Sequence, residues 1–326
     1  MPVTSKDIAG KLGLSQPTVS RILSGSREYR VSPETRRRVL EAARQMGYRP
    51  NAVARSLRHR RTNIVGFYTG YGYLNARNPY LAAVLGGLQQ ACDAQCLDIL
   101  LHGVFRGKST DDIYGELVDG RIDGLFLHTT ADDPLVEQLA NSSLPVVAIS
   151  DAMPGLPCVV ADDGVGVNLL IDYLWKNGHR RIAFLAPQRQ YASVERRVEA
   201  FVKAMNERGI PKPQLLRVDL WDALVGIDAI PKDNPPTAIC CWNDYSAASL
   251  VLECEKNGIR VPDDLAVTGF DGVLDARVSA HELTTIAVPW NLLGEKALEI
   301  LRARMNGTQT EQENRVPVRL VEGGTA

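Results

Sequence analysis

The feature that most constrains this chain is a set of helix starts and stops packed into its first fifty residues. Thr4-Ser5-Lys6-Asp7 places a hydroxyl three residues before a carboxylate, the reciprocal pair that satisfies the unpaired first amides of a helix. Ile8, Ala9 and Leu12 then share one helical face, and Gly13 supplies the left-handed residue that ends it. Leu14 follows as an apolar plug. Ser15 caps a second helix with Pro17 in its first turn, where a missing N–H costs nothing. Val19, Ile22 and Leu23 form its apolar face, and Ser24-Gly25-Ser26 stops it. Ser32-Pro33-Glu34 opens a third helix by the same logic, with Val39, Leu40, Ala43 and Met46 expected as the buried stripe and Gly47 as the stop. Two short helices on a tight glycine turn, then a third, describe a helix-turn-helix.

Charge divides the chain in the same place. The net charge is −1, but through Arg61 fourteen Lys and Arg stand against four Asp and Glu, and the remainder carries 23 basic and 34 acidic residues. A basic head on an acidic body is the footprint of a polyanion-binding module joined to something else. Its capped, apolar-striped order argues against a solvated basic tail. In such a module the second helix enters the DNA major groove. Gln16, Pro17 and Thr18 are its exposed early residues, with Ser20 and Arg21 further on. Gln pairs with adenine, Arg with guanine, and the Thr methyl meets the thymine methyl. Arg36, Arg37 and Arg38 face phosphate or water instead. Asn51 then caps a segment in which Val53, Ala54 and Leu57 share one side of a short helix; alone it is too short to hold, and its plain reading is a flexible linker with a core leucine.

At 326 residues the chain exceeds one ordinary domain. From Ile64 onward, apolar runs such as Ile64–Phe67, Gly124–Leu127, Pro145–Ile149, Arg181–Leu185, Ala238–Cys241 and Leu265–Phe270 alternate with helical stretches at Tyr80–Gln95, Val165–Asn177, Val194–Arg208, Ser246–Asn257 and Leu292–Met305. This alternation predicts parallel sheets with crossover helices, in two subdomains that bind a ligand between the carboxyl ends of their strands.

Other classes are poorly served. No apolar run is long enough for a bilayer, and MPVTSKDIAG lacks the layout of an export signal, so a cytoplasmic protein without membrane contact is expected. Cys92, Cys96, Cys158, Cys240, Cys241 and Cys254 are scattered and read as buried thiols; Cys92 and Cys96 with His102 fall short of a metal site. There is no Gly-x-x-x-x-Gly-Lys-Ser/Thr phosphate loop, no Gly-x-Ser-x-Gly and no His pair at metal spacing, so neither an enzyme, a cofactor nor a metal is expected. The stretch Tyr68–Asn75, with Tyr71 and Tyr73, is an aromatic rim that serves either as a ligand lid or as a dimer-side loop.

Lys6-Asp7-Ile8-Ala9, Gly13-Leu14-Ser15, Thr18-Val19-Ser20-Arg21 and Gly47-Tyr48-Arg49-Pro50-Asn51 together resemble the headpiece of the lactose-repressor/galactose-repressor (LacI/GalR) family. The likeness continues through Val118–Gly124, Gly178–Ala183, Val261–Val267 and Leu283–Ile286. It implies an α/β protein with an all-α helix-turn-helix headpiece (1–48), a hinge helix (49–61) and a periplasmic-binding-protein-like core (62–326). The core would comprise subdomains 62–161 with 291–318 and 162–290 with 319–326. It further implies a homodimeric repressor on a pseudo-palindromic double-stranded operator, read by Thr4, Ser15, Gln16, Pro17, Thr18, Ser20 and Arg21. Asn51, Ala54 and Leu57 belong to the hinge, and Leu57 is the wedge between minor-groove base steps. The resemblance assigns a small-molecule effector, expected to be a sugar, to Tyr80, Ser150, Arg197, Trp221, Asn243, Asp271 and Trp290. A sugar inducer is the first expectation and a co-repressor the second. Several positions depart from the family: Ser26–Arg30 is slightly long, Ala200 replaces Gly, Gly272 stands where a second acid is common, Ser150 precedes Asp151 where the family has Asp, and Glu322 replaces a basic residue. A transport solute-binding protein would instead show an export signal and no basic head. An enzyme would need a nucleophile–base pair that the cleft residues lack.

Overall fold

The computed structural model describes residues 3–24, 30–50, 56, 61–71, 78–102, 108–188, 191–218, 228, 230–274 and 282–326. The chain divides into two units, 1–62 and 63–326.

The described residues of the first unit include α1 (Ser5–Leu12), α2 (Gln16–Leu23) and α3 (Pro33–Gln45). All three begin on the caps read from the sequence. Thr4 Oγ1 accepts from the Asp7 amide at 3.4 Å while the Asp7 carboxylate accepts from the Thr4 amide at 2.8 Å. Ser15 and Ser32 accept from the Thr18 and Thr35 amides at 3.3 and 3.1 Å. Each cap contributes about 1 kcal/mol, which matters in helices too short to persist alone. Gly13 follows α1 at φ +65°. Ile8, Val19, Ile22 and Val39 pack with Ala9, Ala42 and Ala43 into the unit's core. One expectation fails: Leu40 is 48% exposed, and Ala42 is buried instead. At about 100° per residue, Val39, Ala42, Ala43 and Met46 fall on one stripe, and Leu40 stands beside it.

In the second unit, β1 (Ile64–Thr69), α4 (Pro79–Asp93), β2 (Asp98–His102), α5 (Thr110–Leu117), β3 (Gly124–His128), α6 (Pro134–Ala140), β4 (Val146–Ile149) and β5 (Cys158–Ala161) come first. Then follow α7 (Asp163–Lys176), β6 (Ile182–Pro187), α8 (Ala192–Glu207), β7 (Gln214–Val218), β8 (Ala238–Cys241), α9 (Asp244–Lys256), β9 (Ala266–Asp271) and β10 (Thr284–Ala287). The chain closes with α10 (Trp290–Met305), β11 (Glu313–Val316) and β12 (Arg319–Val321). One sheet runs β11-β5-β4-β3-β1-β2 and is parallel throughout. The other runs β12-β10-β9-β8-β6-β7 and is parallel except for β12, which pairs antiparallel with β10. The expected two-sheet α/β architecture is present, with one antiparallel edge. Every residue of β3, β4, β5, β6, β8 and β9 is buried, so these strands read as continuous apolar runs rather than as alternating ones.

In each sheet the strand order reverses once, between β1 and β3 and between β6 and β8. Crevices open there at the carboxyl ends, the usual place for a ligand. Helix α10 packs on α4 and across β3, β4 and β5. The two helices touch at Gly87 and Gly294: a Cβ on Gly294 would stand 2.3 Å from the Gly87 carbonyl oxygen. That approach brings their first turns, with Tyr80 and Trp290, side by side. No described helix is long and apolar enough to cross a membrane. Five of the six cysteines are buried as free thiols, but Cys96 is exposed, on a turn after α4.

Candidate functional site

A cavity of about 600 Å³ lies in the second unit, between the carboxyl ends of the two sheets. Six of the seven effector residues named above line it: Tyr80, Ser150, Arg197, Asn243, Asp271 and Trp290. Trp221 lies outside the described residues, as does Tyr73 of the aromatic rim; Tyr71 lines the cavity.

Arg197 organises one wall. It sits in the second turn of α8, and its Nε donates to Asp163 Oδ1 at 2.7 Å. Its Nη1 donates to the Trp242 carbonyl, and its Nη2 stands 3.7 Å from Asp271 Oδ1. The guanidinium lies over Phe270, 3.6 Å from the ring centroid. Arg196 holds the other Asp163 oxygen at 2.8 Å, so this carboxylate at the start of α7 is fixed by two arginines. Burial works against the charge of Arg197, but Asp163 and Asp271 outweigh it and raise its pKa. Asp271 ends β9 at φ +114°, a conformation that L residues rarely adopt. Burial raises its carboxyl well above the usual range, with Arg197 opposing. The missing second acid has a steric reason: a Cβ on Gly272 would stand 2.6 Å from Ala287 Cα.

Asn243 caps α9 by accepting from the Ser246 amide at 2.8 Å, which leaves its amide group for the cavity. Its neighbour Asp244 is committed to structure. It accepts from the Val273 amide at 2.8 Å and from the Thr285 hydroxyl, and burial pushes its carboxyl up to about 6. Ser150 (φ +71°) and Asp151 both line the cavity, so the displaced acid still reaches it. Asp151 accepts from the Ser193 amide at 2.6 Å, tying the end of β4 to the start of α8. Burial raises its pKa.

Aromatic faces cover the remaining walls. Tyr80 and Trp290 meet edge to face at 5.3 Å, and the Trp290 Nε1–H donates to the Asp271 carbonyl at 3.1 Å. His128 lies between Thr69 Oγ1, at 3.2 Å from Nδ1, and the Tyr80 hydroxyl, at 3.4 Å from Nε2. Burial lowers its pKa to about 4, so the ring is neutral at pH 7. Sequence reasoning missed His128, Tyr191 and Trp242. Each lies at or just beyond a strand that flanks an order reversal, a signal that topology carries and periodicity does not.

In the first unit, Gln16, Pro17 and Arg21 are exposed on α2, while Thr18 and Ser20 are half-buried. Thr4 and Ser15 cap α1 and α2, and Gln16 Nε2 donates to Ser5 Oγ at 3.0 Å, tying the two helix starts together. Asn51, Ala54 and Leu57 lie outside the described residues.

Residues 4–51 match the bacterial regulatory proteins of the lacI family, and residues 171–326 match a periplasmic binding protein-like domain. The chain is 32% identical, over 95% of its length and 94% of the relative's, to the HTH-type transcriptional repressor PurR of Photobacterium profundum. In fold it is similar to a lac repressor dimer bound to operator and the anti-inducer ONPF (TM-score 0.84, 24% identity, 100% and 99% of the two chains). It is also similar to a transcriptional regulator CelR–cellobiose complex (TM-score 0.70, 24% identity, 99% and 100%). A capped helix-turn-helix, a two-sheet core with a ligand-sized cleft and this full-length likeness agree: the chain belongs to the lacI family of bacterial regulatory proteins, as a DNA-binding transcriptional repressor with an effector-binding core.

Proposed function

We propose that the effector is a neutral sugar, held between the two subdomains, and that its binding sets the affinity of a homodimer for a pseudo-palindromic operator. The observation that carries this is the pairing, in one cavity, of Arg197 and Asp271, with Asp163 holding Arg197 from behind, and the aromatic side chains of Tyr80, Trp290 and Tyr71. Paired donors and acceptors suit vicinal hydroxyls, and aromatic faces cover sugar C–H surface. Arg197 is already answered by carboxylates and His128 is neutral, so the described lining offers an anion no uncommitted cation. A structural neighbour that carries cellobiose is consistent with this.

On the DNA side, Gln16, Pro17, Thr18, Ser20 and Arg21 read the major groove, with Thr4 and Ser15 at the helix starts. Asn51, Ala54 and Leu57 reach the minor groove. The protein acts in the cytoplasm, with no metal or cofactor in the switch. Closure of 62–161 with 291–318 on 162–290 with 319–326 changes the spacing of the two hinges, which is how occupancy reaches the DNA.

The test is a gel-shift titration on an operator selected from random DNA, with neutral pentoses, hexoses and cellobiose. At least one sugar weakens operator binding by about tenfold, within the usual range of allosteric coupling. A sugar that strengthens binding makes the effector a co-repressor, and no effect from any sugar ends the sugar reading.

A further inference from the structure

The residues taken from the family motif leave one side of the cleft unassigned. Trp242 follows β8 and Tyr191 precedes α8, so both stand at the order reversal of the second sheet, and both line the cavity. Their rings are stacked, with centroids 5.9 Å apart and planes 4° from parallel. Tyr71, just beyond β1 of the first sheet, meets Tyr191 at 5.9 Å and 47°, and its hydroxyl donates to the Thr129 carbonyl at 3.0 Å. Three rings from two sheets therefore line one side of the cleft.

Packing alone does not explain an indole there. Trp242 Nε1 is buried and has no acceptor among the described residues, a cost that a phenyl ring would avoid. Nor does the side chain support the charged cluster, because the link to Arg197 runs through the Trp242 carbonyl, which any residue would supply. What the indole adds is the largest aromatic face of any side chain, held in one orientation by Tyr191. Arg197, Asn243 and Asp271 offer polar groups to the edge of a ligand ring; a stacked platform addresses its face.

We infer that Trp242, backed by Tyr191, is a specificity-determining platform that selects effectors with a flat C–H face, pyranose sugars, over acyclic polyols of similar hydroxyl content. The inference rests on reading the cleft as a sugar site. Tyr71 bears on the same ligand from the other subdomain, so a stacked ring contacts both halves at once.

Isothermal titration of the full-length protein with D-glucose, D-galactose, cellobiose and sorbitol tests it, on the wild type and on Trp242→Phe, Trp242→Leu and Trp242→Ala. The wild type binds a pyranose about tenfold or more tightly than sorbitol, as a stacked aromatic contact with its buried area provides. Trp242→Phe retains most of that preference. Trp242→Leu, which fills the wall without an aromatic face, and Trp242→Ala collapse it towards unity, a change in ratio that general loosening of the fold does not produce. If Trp242→Leu keeps the wild-type preference, the platform is wrong and the sugar site stands. If the wild type binds none of the three pyranoses, the sugar reading falls and the platform with it.

Discussion

His128 shows how surroundings set the chemistry of one residue. Its ring is buried beneath Tyr71 and Tyr80, and burial takes its pKa from an ordinary value near 6.5 to about 4. The unfolded chain therefore binds a proton in a pH range where the folded chain does not. The stability tied to this residue is present above about pH 6.5 and is lost as pH falls towards 4. Urea unfolding at pH 7 and pH 4.5 should show a drop about 2 to 3 kcal/mol larger in the wild type than in His128→Asn; equal drops would show that the imidazole is not the group responsible. Arg197→Ala removes the cation beside buried Asp271 and leaves Asp163 with Arg196 alone, and breaking a buried ion pair costs about 3 to 5 kcal/mol. Loss of effector response with that destabilisation is expected in paired gel-shift and urea experiments. Retained response would remove Arg197 from the site. Arg197 and Asp271 were legible because they sit in recognisable runs. His128 was not, because one histidine after a buried strand has no pattern of its own. Leu40 misled for a related reason: composition marked it apolar, and only its angle on α3 shows that it faces outward.

Helices and strands were readable in proportion to their length and burial. The five long helices and the fully buried central strands stood out. Helices α5 and α6, of 8 and 7 residues, did not, since they complete only about two turns, and strands β7 and β11 did not, since each buries a single residue. Close contact between elements was equally silent. Gly87 and Gly294 read as ordinary helical glycines, yet they let α4 and α10 touch and so align Tyr80 with Trp290. Gly294→Val forces backbone apart and is expected to destabilise by about 1 to 3 kcal/mol. Thermal unfolding with sugar titration checks both consequences: a lower Tm and weaker binding. An unchanged Tm would mean the helices pack with room to spare.

At the scale of the molecule, a basic unit and an acidic one divide the work. DNA affinity that rests on the basic headpiece should fall by about a hundredfold or more between 50 and 200 mM salt, whereas binding of a neutral ligand within the core should change less than about twofold. Equal salt dependence would place the ligand outside the cleft. Leu57 belongs to this scale as well, since its proposed wedge works only when two chains meet on DNA. Leu57→Ala should weaken specific operator binding far more than non-specific binding in competition gel shifts, and equal losses would exclude the wedge. The sequence made the division of labour legible through its charge break and its caps, but the identity of the ligand depends on distances between residues far apart in the chain. In a chain that couples cleft occupancy to operator affinity, linkage makes the coupling reciprocal. Fluorescence anisotropy should give the operator Kd with and without saturating sugar, and calorimetry the sugar Kd with and without operator. Both change by the same factor, about fivefold or more; two dissociation constants that each ignore the other ligand would mean that cleft and headpiece are uncoupled.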